Sequence, residues 1–144
     1  ETAPRDVLEI ASLLRKRRGL ENCKDFSVVL NCFALRSLWR ASLALLSDMP
    51  QQGVTPDCIT YTCAMHACCR NRQWQHALEL LGGMVHASLS PDLIACNAAL
   101  GACEHSGSLE PALELLRFMA ACAVVPDTVS YNAAIRAARG AGRR

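Results

Sequence analysis

Apolar positions in this chain recur with the 3.6-residue rhythm of helices, in short bursts separated by polar breaks. Within residues 58–92, Ile59, Ala64, Met65 and Cys68 mark one stripe, which ends at the polar run Arg70-Asn71-Arg72. A second stripe follows through Trp74, Ala77, Leu78, Leu81 and Met84. Two short helices folded against each other are predicted. In the next stretch Gly107 supplies the break between helices, Ser108 is the expected N-cap and Pro111 falls in the first helical turn, where its missing N–H costs nothing. A Pro ahead of an Asp is expected to end each second helix and start the next unit.

The pattern repeats. Pro56-Asp57, Pro91-Asp92 and Pro126-Asp127 stand 35 residues apart, as do Met49, Met84 and Met119. Ile59-Thr60-Tyr61-Thr62 aligns with Ile94-Ala95-Cys96-Asn97 and with Val129-Ser130-Tyr131-Asn132. Ala77-Leu78-Glu79-Leu80-Leu81 aligns with Ala112-Leu113-Glu114-Leu115-Leu116 and, more loosely, with Ser42-Leu43-Ala44-Leu45-Leu46. The units are therefore 23–57, 58–92 and 93–127, with the first helix of a partial copy in 128–144. The head, 1–22, is amphipathic through Val7, Leu8, Ile10, Ala11 and Leu14 and reads as the second helix of an earlier copy. A lone helical hairpin cannot bury its apolar side, but stacked neighbours can. The fold class is all-α: an α-solenoid of stacked helix-turn-helix repeats, its concave side lined by the first helix of each unit.

Composition agrees. Apolar residues make up 51% of the 144 and aromatics only 5%, so the core is built from Ala, Leu, Val and Cys, which allow close helix packing. No run reaches the roughly 18 apolar residues of a spanning helix, and the chain reads as soluble. Net charge is +2, concentrated in Arg15, Lys16, Arg17 and Arg18 near the start and in Arg143-Arg144 at the end. The first run reads either as a solvated helix end or as a phosphate contact. Nine cysteines without a C-x-x-C pair indicate reduced thiols in a reducing compartment and no metal site. Cys68 and Cys103 share the repeat phase and are expected to be small buried hydrophobes. The chain opens at Glu1 without a Met, so a processed or partly observed polypeptide is expected, with any targeting peptide upstream.

The W-x-x-L-G-x-x-Y signature of 34-residue tetratricopeptide repeats is absent. The motif V/I-T/S-Y-N…A-L-E-L-L…M…P-D at 35 residues instead resembles the pentatricopeptide repeat family over about residues 23–139. That resemblance implies a right-handed superhelix and an organellar protein, mitochondrial or plastid, acting in RNA processing, stability or translation. Its partner would be single-stranded RNA, read at one nucleotide per repeat. The family's base-reading positions, the fifth and last residues of each motif, fall on Ser27 with Asp57, Thr62 with Asp92, and Asn97 with Asp127; Asn132 opens a further copy. The implied tract is 5′-G-G-U-3′. Base-stacking positions fall on Ile59, Ile94 and Val129, whereas Lys24 departs from the pattern, as does Cys96 in place of Tyr. Arg70 and His105 fall where the family often places a phosphate-facing basic residue, and no cofactor is implied.

The same residues admit plainer roles. Asp57, Asp92 and Asp127 follow Pro and precede a helix, the place of an N-cap, and Asn97 and Asn132 could bond to backbone. Arg70 and His105 could be solvated helix ends, and His66 and His76 face solvent or a helix junction. Stacking and edge recognition supply roughly 1–3 kcal/mol per nucleotide, or about 3–9 for three units, against an association cost of about 4–15 kcal/mol. Three units alone therefore bind weakly. The alternative is a structural adaptor subunit of a large organellar assembly, a ribosome or membrane complex, contacting rRNA or protein subunits. The chain is not expected to be an enzyme: His66, His76, His86 and His105 are scattered over the repeats, and neither a deaminase signature nor a phosphate loop is present.

Overall fold

A helix start leaves backbone amides without partners, and this chain places a short polar acceptor at each first-helix start. In the computed structural model, which describes residues 22–143, Asn22, Asp57, Asp92 and Asp127 accept from the amides of Asp25, Thr60, Ala95 and Ser130. The helices so begun are α1 (Cys23–Leu35), α3 (Cys58–Arg70), α5 (Leu93–Ser106) and α7 (Thr128–Ala141). Between them run α2 (Trp39–Gln51), α4 (Trp74–His86) and α6 (Leu109–Ala121). No strand occurs among the described residues. The basic run at Arg15, Lys16, Arg17 and Arg18 and the helix expected across the head lie outside the described residues.

Helices α1 to α6 all end by one device. A residue in the left-handed region (Ser37, Gly53, Arg72, Ser88, Gly107 or Ala123) turns the chain. The next amide then reaches back five residues: Leu38 to the Phe33 carbonyl, Val54 to Met49, Gln73 to Cys68, Leu89 to Met84, Ser108 to Cys103 and Val124 to Met119. This is the Schellman closure, which satisfies helix-end carbonyls. It corrects the expectation that Pro ends the second helices. These finish at Gln51, His86 and Ala121, well short of Pro56, Pro91 and Pro126, and α2 even contains Pro50. The 35-residue recurrence of Met49, Met84 and Met119 has a double cause: each side chain is fully buried and each carbonyl takes the closing bond.

Ser108 stands at the N-cap of α6, yet its side chain makes no capping bond; its hydroxyl instead accepts from Ser106 at 2.9 Å. The buried stripes also differ in detail from the periodicity. On α3 they are Thr60, Ala64, Met65, Ala67 and Cys68, without Ile59, and on α4 they are Ala77, Leu80, Leu81 and Met84, with Trp74 and Leu78 only partly covered.

First helices pack most extensively on one another (α1 on α3, α3 on α5, α5 on α7), whereas successive second helices touch little. The first helices therefore form a tight inner row and the second helices a splayed outer one, which curves the stack towards the first-helix side. Helix α5 sits centrally and is buried nearly all round; its Ala95, Ala98, Ala99 and Ala102 let both neighbours approach. Gly107 and Gly140 mark a close approach of α5 to α7, where a Cβ on Gly140 would lie 2.9 Å from the Gly107 Cα. Tyr131 and Ile135 on α7 remain exposed although their counterparts Cys96 and Leu100 on α5 are buried, because no second helix follows α7 among the described residues.

Candidate functional site

Successive residues of a helix point about 100° apart, so the residue before a buried one can face out. Thr60, Ala95 and Ser130 are wholly buried, while the preceding Ile59, Ile94 and Val129 are 61%, 61% and 59% exposed. The three apolar side chains thus stand in register on the inner row of helices. Lys24, their counterpart on α1, is exposed too. Ile59 and Ile94 border one open pocket of about 240 Å³ between α3 and α5, together with Thr62, Asp92, Cys58, Cys63 and His66. That is smaller than the roughly 300–1,000 Å³ of clefts enclosing drug-sized ligands and suits one small flat group. The structure brings Thr62, Asp92, Ile59 and Ile94 together. Cys63 and His66 escaped sequence reasoning, although one helical turn from Ile59 and Thr62 respectively was the available signal. Partial burial, then the nearby Arg70 cation, lower the His66 pKa and favour its neutral ring.

The three fifth-and-last pairs differ. Asn97 Nδ2 donates to Asp127 Oδ1 at 3.3 Å, and Asn97 Oδ1 accepts from the Ser130 hydroxyl at 2.6 Å. Asn97 therefore bonds to side chains and not to backbone. The Thr62 hydroxyl donates to its own helix at the Cys58 carbonyl, 2.7 Å away, and has no bond to Asp92. Likewise Ser27 donates to the Lys24 carbonyl at 2.8 Å and not to Asp57. Asn132, on α7, is exposed.

All three aspartates cap helices. Asp57 forms a reciprocal box with Thr60: its Oδ1 accepts from the Thr60 amide at 2.9 Å, and its own amide donates to Thr60 Oγ1 at 2.9 Å. Asp127 forms the same box with Ser130, whereas Asp92 has only the Ala95 amide, at 2.8 Å. Burial alone would raise the Asp57 pKa; the Thr60 amide, the Cys23 thiol and the Thr60 hydroxyl outweigh it and hold the carboxyl below its usual range. The Ser130 amide lowers that of Asp127, partial desolvation opposes it, and the Asn97 amide adds to the lowering. Capping engages one carboxylate oxygen and leaves the other as an acceptor for a ligand. The cap and ligand roles of these aspartates are therefore compatible.

Arg70 closes the last turn of α3, exposed and without an ion pair among the described residues. His105 Nδ1 lies 2.6 Å from the Gly101 carbonyl, which can only accept, so that nitrogen carries the proton. The other ring nitrogen of neutral His105 is an acceptor, and a phosphate contact through it requires the imidazolium. Cys68, Cys96 and Cys103 are fully buried, and burial raises their thiol pKa values to about 11, 11 and 12. No three metal-ligating side chains converge among the described residues. No described helix is long and apolar enough to cross a membrane.

Comparison with known proteins places this architecture. The model of the pentatricopeptide repeat domain matches residues 44–104 and 79–140. The chain is similar to the repeat domain of Arabidopsis thaliana protein-only RNase P 1, solved in complex with tRNA. Identity is 20% and the TM-score 0.78, over 96% of this chain and 73% of that one. It is also similar to the pentatricopeptide repeat protein PPR10 in complex with an 18-nt psaJ RNA element, at 25% identity and TM-score 0.73, over 81% of this chain. PPR10 from maize gives 17% identity and a TM-score of 0.75 over 85% of it. The chain spans 17% and 18% of those two PPR10 chains. A search of curated proteins returned no match. With the repeat model covering residues 44–140 on an all-helical stack of 35-residue units, the chain belongs to the pentatricopeptide repeat family.

Proposed function

We propose that this chain binds single-stranded RNA along its inner row of helices, one nucleotide per repeat, in the service of RNA processing, stability or translation in a mitochondrion or plastid. The observation that carries this reading is the pocket between Ile59 and Ile94, with Thr62 and Asp92 on its rim. Large aliphatic side chains held exposed at equal spacing suit an apolar partner, and a splayed base provides two flat faces and a polar edge. Solved relatives hold tRNA or an 18-nt RNA element, which supports the reading by likeness. Arg70, with the basic head residues Arg15, Lys16, Arg17 and Arg18, would meet phosphates. The segment itself carries out no catalysis in this proposal, and its four histidines serve no common centre.

Titration of a GGU-containing oligonucleotide at two salt concentrations tests the idea. Weak binding that falls with salt and is abolished in Thr62→Ala/Asn97→Ala supports base reading. No detectable binding at ~100 μM, at either salt concentration, removes it. The adaptor reading draws on the same exposed Ile59, Ile94 and Val129, which a partner helix would cover equally well. Co-purification with assembly subunits, with no oligonucleotide binding, selects that alternative.

A further inference from the structure

The third repeat's polar pair is held by a residue outside it. Ser130 is wholly buried, and its side-chain oxygen lies 2.6 Å from Asn97 Oδ1, 2.9 Å from Asp127 Oδ1 and 3.1 Å from the Asp127 amide. A hydroxyl has one proton, which decides among these contacts. The Asp127 carboxylate only accepts, so Asn97 must turn its Nδ2 towards it, which leaves Oδ1 facing Ser130. The Ser130 proton therefore goes to Asn97 Oδ1, and the Asp127 amide donates to the Ser130 oxygen. The Ser130 amide completes the ring at Asp127 Oδ1, 2.9 Å away.

One rotamer and one amide orientation of Asn97 satisfy that ring. Left unused by the ring are the second N–H of Asn97, the second lone pair of its Oδ1 and the second oxygen of Asp127: a donor beside acceptors. Beside the second repeat's pair the residue in place of Ser130 is Ala95, which has no hydroxyl, and Thr62 and Asp92 stay unlinked. Beside the first repeat's pair Thr60 has the hydroxyl, but it donates to the Asp57 carbonyl at 2.8 Å, and Ser27 is turned to Lys24.

Resting on the RNA reading above, we propose that Ser130 is a positioning residue for base discrimination. It fixes which hydrogen-bonding face Asn97 and Asp127 present, so the third repeat reads its nucleotide with a preformed edge while the second does not. The recognised group is a base edge that offers one acceptor and one donor side by side.

The test uses the full chain, short oligonucleotides varied at one nucleotide at a time, and two substitutions. Ser130→Ala should cut discrimination at the third nucleotide about fivefold, the effect of one lost hydrogen bond, and leave the second nucleotide's preference unchanged. Ser130→Thr should restore it, since Thr60 already occupies the equivalent buried place. The side-chain amide resonances of Asn97, followed by NMR without RNA, should lie away from random-coil positions in the native and Ser130→Thr proteins and move towards them in Ser130→Ala. Equal loss at every nucleotide in Ser130→Ala reduces Ser130 to a helix cap and overturns the proposal. So does undiminished discrimination at the third nucleotide. A native protein with held Asn97 resonances and no preference at any nucleotide fails through the RNA reading beneath it, a result distinguishable from both.

Discussion

The second and third repeats share a fold, and their polar pairs meet different buried neighbours, Ala95 and Ser130. In both, an Asp caps the next first helix by accepting a backbone N–H hydrogen bond of nearly the same length, 2.8 Å at Asp92 and 2.9 Å at Asp127. The third repeat adds the Ser130 hydroxyl, and with it the polar pair becomes a closed ring; the second has Ala95, and its Thr62 turns back on its own helix. Repeat architecture thus fixes where polar groups stand, while a neighbouring unit decides whether they are held. The two sites flank α5, so a change in that helix should disturb both and a change in α7 only one.

The largest expected effect removes that contrast. Leu100 is fully buried in α5, and Leu100→Ala should cost about 2–5 kcal/mol through lost contacts and a cavity. Urea unfolding should show the loss, and binding at the second and third nucleotides should decline together. Next is Gly140→Ala. Its new Cβ would meet the Gly107 backbone at 2.9 Å, where neither chain can swing aside, and about 1–3 kcal/mol is expected. Because this pushes α7 from α5, the third nucleotide should suffer more than the second. Equal effects at both would show that the sites are coupled as one body.

Two aspartates sharpen the comparison. Asp92→Ala removes a single capping bond, a loss of about 1 kcal/mol in thermal or urea unfolding. Asp127→Ala removes the cap and the partners of Ser130 and Asn97, and should lower the melting temperature further. Acid should discriminate in the same sense. Asp57 and Asp127 have folded pKa values lowered from 3.8, so their stabilisation is full above that value and is lost as pH falls through the lower folded values. Melting followed from pH 7 to pH 2.5 should drop most steeply at the acid end, and the drop should shrink in Asp57→Asn/Asp127→Asn. An unchanged acid limb would place the pH sensitivity elsewhere.

Much of this was legible in the residues. The constant spacing of Pro-Asp, of the A-L-E-L-L block and of Met49, Met84 and Met119 pointed to stacked helix pairs because each recurs where the backbone needs the same cap, the same buried side chain and the same turn. The helix ends were less legible. Ser88 and Ala123 adopt the left-handed turn that Gly53 and Gly107 announce, so at those two positions composition gave no sign and the following Pro drew the boundary too late. Ile59 fitted both the helical stripe and the outward clamp, and only packing of α3 between two neighbours decides that it faces out. The ring at Ser130 was illegible for a different reason. It joins residues 33 apart in adjacent units, and spacing alone shows neither the reach of a hydroxyl nor the direction of an amide.

The smallest energetic effect is the most informative. Ala95 is wholly buried at the place Ser130 occupies, on a helix start with the same capping bond, so Ala95→Ser should set its hydroxyl towards Asp92 as Ser130 faces Asp127. Alone it should change stability by less than about 0.5–1 kcal/mol, because the added hydroxyl finds an acceptor. Paired with Thr62→Asn it rebuilds the ring in the second repeat. Thr62→Asn by itself supplies the amide without the hydroxyl that orients it, and should shift preference at the second nucleotide only modestly. The double variant should discriminate about fivefold better, approaching the third repeat, as expected for one added hydrogen bond. If Thr62→Asn alone performs as well as the pair, the fifth and last residues suffice and the hydroxyl of the next unit is only a cap. If only the pair succeeds, each repeat's reading depends on three residues, one of them contributed from the buried start of its neighbour.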